Sequence, residues 1–117
     1  MMSNRYFLTQ DIMSEIQVPQ KGILSHTLYN DEQAKIILFG FAAGEELTAH
    51  TAPMPAMIQI LSGEVTLTLG PDRCEAVSGC LVYMEPQLTH GVVAKTPTMM
   101  LLTLLKAARQ DTKPQAA

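Results

Sequence analysis

The sequence lacks several features that would indicate a particular class of protein. It contains no tryptophan, only 5% aromatic residues and no basic cluster, and its net charge is −3 at pH 7. Binding to nucleic acid through phosphate contacts is therefore not expected. No apolar run approaches the ~20 residues that a membrane helix requires, and the first residues lack the long apolar core of a signal peptide. We predict a cytoplasmic protein without nucleic-acid or membrane partners.

Familiar catalytic patterns are missing as well. Cys74 and Cys80 lie six residues apart without a CxxC motif, so the sequence predicts two half-buried, reduced thiols. No Ser-His-Asp set, carboxylate pair, phosphate-binding glycine loop or thiol with its own base can be assembled. No catalytic residue is predicted, and the question of enzymatic activity stays open.

The length of 117 residues suits one domain with its own core. We predict an N-terminal extension over residues 1–19, a β-barrel over 20–106 and a flexible tail over 107–117. Within the extension, Thr9–Ile16 is predicted to form a short helix, because Thr9 is a candidate N-cap and apolar residues recur at helical spacing.

Short apolar or alternating segments recur every eight to twelve residues, with glycine, proline or asparagine between them. This pattern is typical of an all-β sandwich or barrel. The segment 64–69 alternates strictly and follows Ser62-Gly63, which predicts a hairpin with the strand 57–61. The predicted strands are 23–29, 33–41, 47–51, 57–61, 64–69, 73–77, 81–84, 91–94 and 98–105.

Two segments share an arrangement of glycine, histidine and proline. The first places His50 six residues after Gly44 and ends at Gly63. The second begins at Gly79 and ends at His90, with Pro86 between them. The chain has three histidines, and two of them lie in these paired segments.

These segments resemble the two motifs of the cupin superfamily, whose members are double-stranded β-helix (jelly-roll) barrels. In the first motif, Gly44, His50 and Gly63 match the family pattern, but Ala52 and Ala56 stand where it has a second histidine and a glutamate. In the second motif His90 is in register. Pro86 comes one residue late, and Gln87 replaces a glycine. The resemblance covers residues 35–105 and implies an all-β jelly-roll fold.

The resemblance also implies a metal site built from three histidines and a carboxylate, and two of those four ligands are replaced here. His50 and His90 remain as metal ligands, with His26 as a third if its side chain turns inward. Gln59 is out of phase with Ile58 and should face the other way. We therefore expect either no cofactor or a weakly held divalent transition metal.

Two functions remain open. The first is a binding protein, without a predicted activity, that holds a small ligand in an apolar interior pocket. The second is a metal-dependent enzyme of the dioxygenase or isomerase type with a rebuilt ligand set. The predicted pocket is lined by His50, Ala52, Ala56, Ile58, Met84 and His90.

A homodimer is the expected assembly. The strands 33–41 and 98–105 offer apolar side chains on both faces, and only one face can fill the barrel. A second copy of the chain is the expected cover for the other face.

Overall fold

The computed structural model describes residues 5–106, and the predicted tail 107–117 lies outside that range, as do the first four residues of the predicted extension. The described part contains one 3-10 helix and nine strands. They are the helix Ile12–Ser14 and the strands β1 Ile23–Asn30, β2 Ala34–Phe41, β3 Glu46–His50, β4 Ala56–Ser62, β5 Glu64–Leu69, β6 Asp72–Val77, β7 Leu81–Met84, β8 His90–Ala94 and β9 Thr98–Leu105.

The strands form two antiparallel sheets. The larger sheet has the order β1-β2-β9-β4-β7, and the smaller has the order β3-β8-β5-β6. Apolar side chains from both sheets meet in one core, to which Phe41, Ile58 and Ile60 contribute from the larger sheet and Val65 and Leu67 from the smaller. This arrangement confirms the predicted all-β jelly-roll class.

The predicted hairpin between 57–61 and 64–69 is wrong. β4 pairs with β7 and β9, whereas β5 pairs with β6 and β8. Gly63 therefore turns the chain from one sheet to the other, with φ at +97°. Its α-carbon also lies against Pro97 and Thr98, since an added β-carbon would sit 2.5 Å from the Pro97 carbonyl oxygen. Only glycine combines this backbone angle with so close an approach.

The predicted helix over Thr9–Ile16 is reduced to the three-residue 3-10 helix Ile12–Ser14. Asp11, not Thr9, is its N-cap, and its carboxylate accepts a hydrogen bond from the Met13 N–H. Thr9 instead donates its hydroxyl to Glu15. No helix within residues 5–106 is long and apolar enough to cross a membrane.

The chain after this helix packs across the outer face of the larger sheet. A β-carbon added at Gly40 would contact Ile16, Val18 and Pro19 at 3.2–3.3 Å. Farther along the same sheet, Leu81 and Tyr83 on the edge strand β7 are 61% and 57% exposed. The N-terminal segment therefore covers one part of this face, and a different part stays apolar and open.

The two cysteines are free thiols. Cys80 is half-buried as predicted, whereas Cys74 is exposed on β6. Cys74 pairs with Leu67, which is buried.

Candidate functional site

His50 and His90 lie directly opposite one another on neighbouring strands. His50 ends β3, His90 begins β8, and the two residues are cross-strand partners. Their ring centroids are 4.5 Å apart, and the ring planes are inclined by 56°. His50 is exposed, whereas His90 is half-buried. The two motifs therefore bring their histidines together.

Both rings are oriented by a backbone carbonyl two residues earlier. Nδ1 of His50 lies 2.9 Å from the Thr48 oxygen, and Nδ1 of His90 lies 2.8 Å from the Leu88 oxygen. A carbonyl can only accept, so in each ring Nδ1 must carry the hydrogen and donate it. In a neutral imidazole this leaves the lone pair on Nε2. The geometry thus assigns the same tautomer to both rings, with two Nε2 acceptors.

The turn before His90 is held in an unusual backbone conformation. Gln87 has a φ of +69°, which is uncommon for a residue other than glycine. Its N–H donates to the carbonyl of Ala52 at 2.7 Å and so ties the loop after β3 to the loop before β8. The next residue, Leu88, provides the carbonyl that orients His90. The left-handed turn at Gln87 therefore helps to position the histidine pair.

The absence of a side chain at Gly91 brings β3 and β8 close together beside the histidines. A β-carbon at Gly91 would lie 3.0 Å from the backbone nitrogen and α-carbon of Ala49. The β3–β8 register also shifts between Leu47 and His50. This irregularity accompanies the placement of His50 opposite His90.

The histidine pair borders a cavity of about 170 Å³. Apart from the two imidazoles, its wall consists of hydrocarbon or thioether side chains and one glycine, so neither an acid nor a lysine or arginine lines it. The lining residues are Phe39, Leu47, His50, Ile58, His90, Gly91, Val92, Met100 and Leu102.

Of the six residues that the sequence predicts for the pocket, the structure places His50, Ile58 and His90 around this cavity. Ala52, Ala56 and Met84 do not line it. Ala56 is only 3% exposed and lies between its partners Met84 and Leu104 on the neighbouring strands. These larger side chains pack around Ala56 in the core, so its small methyl group does not enlarge the cavity. Ala52 is half-buried in the loop after β3.

Six of the lining residues are not predicted from the sequence. Leu102 enters the wall because β9 pairs with β4 and sets it opposite Ile58, and Phe39 is opposite Met100 in the same way. Each lies in a strand that the sequence predicts, but the register between distant strands has no local signal. The six are Phe39, Leu47, Gly91, Val92, Met100 and Leu102.

The described residues do not fit the metal site that the family resemblance implies. His26 is exposed on β1, opposite Leu38. Since Phe39 lines the cavity and adjacent strand residues face opposite sides, Leu38 and His26 belong to the other side of the sheet. Within residues 5–106 no group of three or more His, Cys, Asp or Glu side chains could hold a metal ion. Two imidazoles are fewer protein ligands than tight sites use.

The displaced pKa values belong to surface groups that do not line the cavity. The Tyr29 hydroxyl donates to Asp31, and with the N–H groups of Ala34 and Gln33 it holds the pKa of Asp31 below its usual value. The same carboxylate raises the pKa of Tyr29. These contacts fix the turn between β1 and β2. On the other sheet, the Lys95 ammonium 2.8 Å away lowers the pKa of Glu75.

Comparison with known proteins gives one family and several related structures. The sequence model of the family described as Cupin domain matches residues 37–105. A conserved protein of unknown function from Streptococcus pyogenes is 26% identical, with a TM-score of 0.79 over 98% of this chain and 100% of that one.

Two further structures are less similar in sequence. A cupin superfamily protein from Desulfitobacterium hafniense is 22% identical, with a TM-score of 0.77 over 85% of this chain and 94% of that one. An RmlC-like cupin from Shewanella frigidimarina is 18% identical, with a TM-score of 0.74 over 90% of this chain and 94% of that one. These likenesses show the fold. No protein with a curated description matches the chain.

Proposed function

The chain belongs to the cupin domain family, and from this membership we propose that it is a non-enzymatic binding protein for a small, largely apolar molecule. The ligand occupies the cavity between the sheets, and its polar end lies at His50 and His90. The observation that supports this proposal most strongly is the combination of an apolar wall with a single polar pair. Pockets for small molecules have this composition, in which a few polar groups orient a mostly apolar ligand.

The size of the cavity supports a ligand with about one aromatic ring. An apolar cavity of about 150 Å³ is enough to bind benzene in another protein, and the cavity here is about 170 Å³. Since His50 is exposed, the histidine end of the cavity meets solvent. A ligand can therefore enter there.

The proposal is tested by thermal unfolding with toluene as the probe. A molecule that binds only the folded state stabilises it by about 2.7 kcal/mol at a hundredfold excess over Kd. We expect toluene to raise the Tm of the wild type. It should have little effect on Leu47→Trp, because that indole would fill the cavity. Leu24→Trp is the matched control, since Leu24 is exposed on β1 and does not line the cavity.

The proposal would be overturned if saturating toluene left the wild-type Tm unchanged, or if it raised the Tm equally in all three proteins. Metal analysis tests the alternative of a metal-dependent enzyme. Stoichiometric Fe, Mn, Ni or Zn in the purified protein, lost in His50→Ala and His90→Ala, would support that alternative. Unchanged Tm values with added divalent ions would count against it.

We also propose that a second copy of the chain covers the open part of the larger sheet. Leu81 and Tyr83 lie two residues apart on β7 and therefore share one face. Their partners on β4 are Gln59 and Met57, whereas the inward-facing Ile58 pairs with Val82. The Leu81–Tyr83 face thus points away from the core, and two copies related by a two-fold axis could cover it mutually.

Sedimentation at micromolar concentration tests this assembly. We expect a dimer for the wild type and a monomer for Leu81→Lys/Tyr83→Lys. Val77→Lys is the control, since Val77 is 57% exposed but belongs to the other sheet. A monomeric wild type would refute the proposed dimer.

A further inference from the structure

We infer that the ligand is a neutral molecule whose polar end donates hydrogen bonds, such as a primary carboxamide or a hydroxyl group, and that a carboxylate of the same shape is disfavoured. This inference rests on the proposed binding function and narrows the class of ligand. It follows from the tautomer of the histidine pair and from the absence of charge in the cavity wall.

The hydrogen-bonding capacity of the histidine pair favours a donor on the ligand. Each Nδ1 already donates to a backbone carbonyl, so its hydrogen is not available to a ligand. Within residues 5–106 the hydrogen bonds of these rings involve Nδ1 and not Nε2. In this tautomer each ring has one hydrogen-bond acceptor left, at Nε2, and no donor to offer a ligand. The matching ligand group is a donor.

The lack of charge in the cavity wall also limits the class of ligand. A carboxylate only accepts, so beside two Nε2 lone pairs it would lose part of its hydration and gain no hydrogen bond from either ring. An ammonium group could donate, but no carboxylate lines the cavity to pair with it, and burying an unpaired charge is costly. A neutral donor avoids both penalties, because it satisfies Nε2 while the rest of the ligand fills the apolar wall.

The surroundings of the pair do not supply the missing charge. On the strands that carry or flank the histidines, the charged residues of either sign are exposed: Glu46 at the start of β3, Glu64 at the start of β5, and Asp72, Arg73 and Glu75 on β6. Glu85 in the loop before His90 is also exposed. None of them forms a metal-binding group with the two histidines. The hydrogen-bonding character of the site is thus set by the two imidazoles.

Benzamide and benzoate test the inference because they have the same shape and differ in donor capacity and charge. We would measure their binding by calorimetry at about pH 8.5. We expect benzamide to bind at least about tenfold more tightly than benzoate, which corresponds to about 1.4 kcal/mol. Toluene serves as the apolar reference.

A variant at the histidine pair provides the second readout. In His50→Gln/His90→Gln the side chains present amide donors as well as acceptors, so the preference for benzamide should shrink to less than about threefold. Circular dichroism and the Tm report whether this variant is folded. If it is not, the wild-type ratio of benzamide to benzoate decides the question alone.

The outcomes separate the inference from the proposed function. If toluene binds but benzamide binds no more tightly than benzoate, the inference is wrong and the binding function stands. If benzamide is favoured equally by the wild type and a folded glutamine variant, the histidines do not set the preference and the inference is again wrong. If toluene, benzamide and benzoate all fail to bind, the proposed function itself fails.

Discussion

Replacing Gly63 by alanine should destabilise the protein far more than an ordinary glycine substitution. Two penalties arise at this residue. A φ of +97° is strained for a residue with a β-carbon, by about 1–2 kcal/mol. The new methyl group would also overlap Thr98 Oγ1 and lie 2.5 Å from the Pro97 oxygen and 2.8 Å from the Thr98 α-carbon. Overpacking of this kind adds about 1–3 kcal/mol, so we expect a total loss of about 4 kcal/mol.

Gly79 is the matched control for this experiment. It has the same φ of +97°, but a β-carbon there would meet no atom within 4 Å. Gly79→Ala therefore carries the backbone strain without the overlap and gains a little from the stiffer unfolded chain, for a net loss of about 1 kcal/mol. Urea unfolding followed by circular dichroism gives both free energies. If Gly63→Ala is as stable as Gly79→Ala, then Gly63 does not approach residues 97–98 as closely as described.

Three other substitutions test the core, the turn before His90 and the β1–β2 turn. Ile58→Ala should lower the free energy of unfolding by about 3 kcal/mol, because Ile58 is 1% exposed; a loss below about 1 kcal/mol would contradict its buried position. Gln87→Gly should leave stability within about 0.5 kcal/mol of the wild type, because relief of strain at φ +69° offsets the more flexible unfolded chain, whereas Gln87→Val should be clearly destabilising. Folding lowers the pKa of Asp31, so its contribution to stability is present above the unfolded pKa. That contribution is lost as the pH falls through the folded pKa. Between neutral and acidic pH, the Tm of Asp31→Asn should therefore fall by less than the Tm of the wild type. An equal fall in both proteins would refute the stabilising role of the Asp31 carboxylate.

The sequence predicts the positions of the strands well because the signals are local. Alternation within 64–69 and turn residues such as Asn30 and Gly79 mark the ends of strands without knowledge of their partners. The observed β5, Glu64–Leu69, has the predicted bounds, and β7, Leu81–Met84, does so too. The prediction of a jelly-roll fold comes from the resemblance to the family motifs.

Strand pairing is not local, and here the sequence misleads. Ser62-Gly63 resembles a hairpin turn, yet the chain crosses between sheets at that point. The same limitation affects the cavity. The resemblance to the family motifs identifies His50 and His90, but Leu102 and Val92 reach the wall only through the register of β9 and β8 with distant strands. In the sequence, alanine at position 56 suggests a pocket enlarged by a small side chain. In the structure Ala56 is packed in the core, because Met84 and Leu104 flank it.

The most direct test of the account is long-range proton–nitrogen NMR of the imidazole side chains, recorded at about pH 8.5 with and without benzamide. We expect Nδ1 to carry the hydrogen and Nε2 to carry none in both His50 and His90. We also expect benzamide to shift the two Nε2 signals together with methyl signals of Ile58 and Leu102. Protonated Nε2 atoms in the free protein, or benzamide-induced shifts confined to Leu81 on the outer face, would contradict the account.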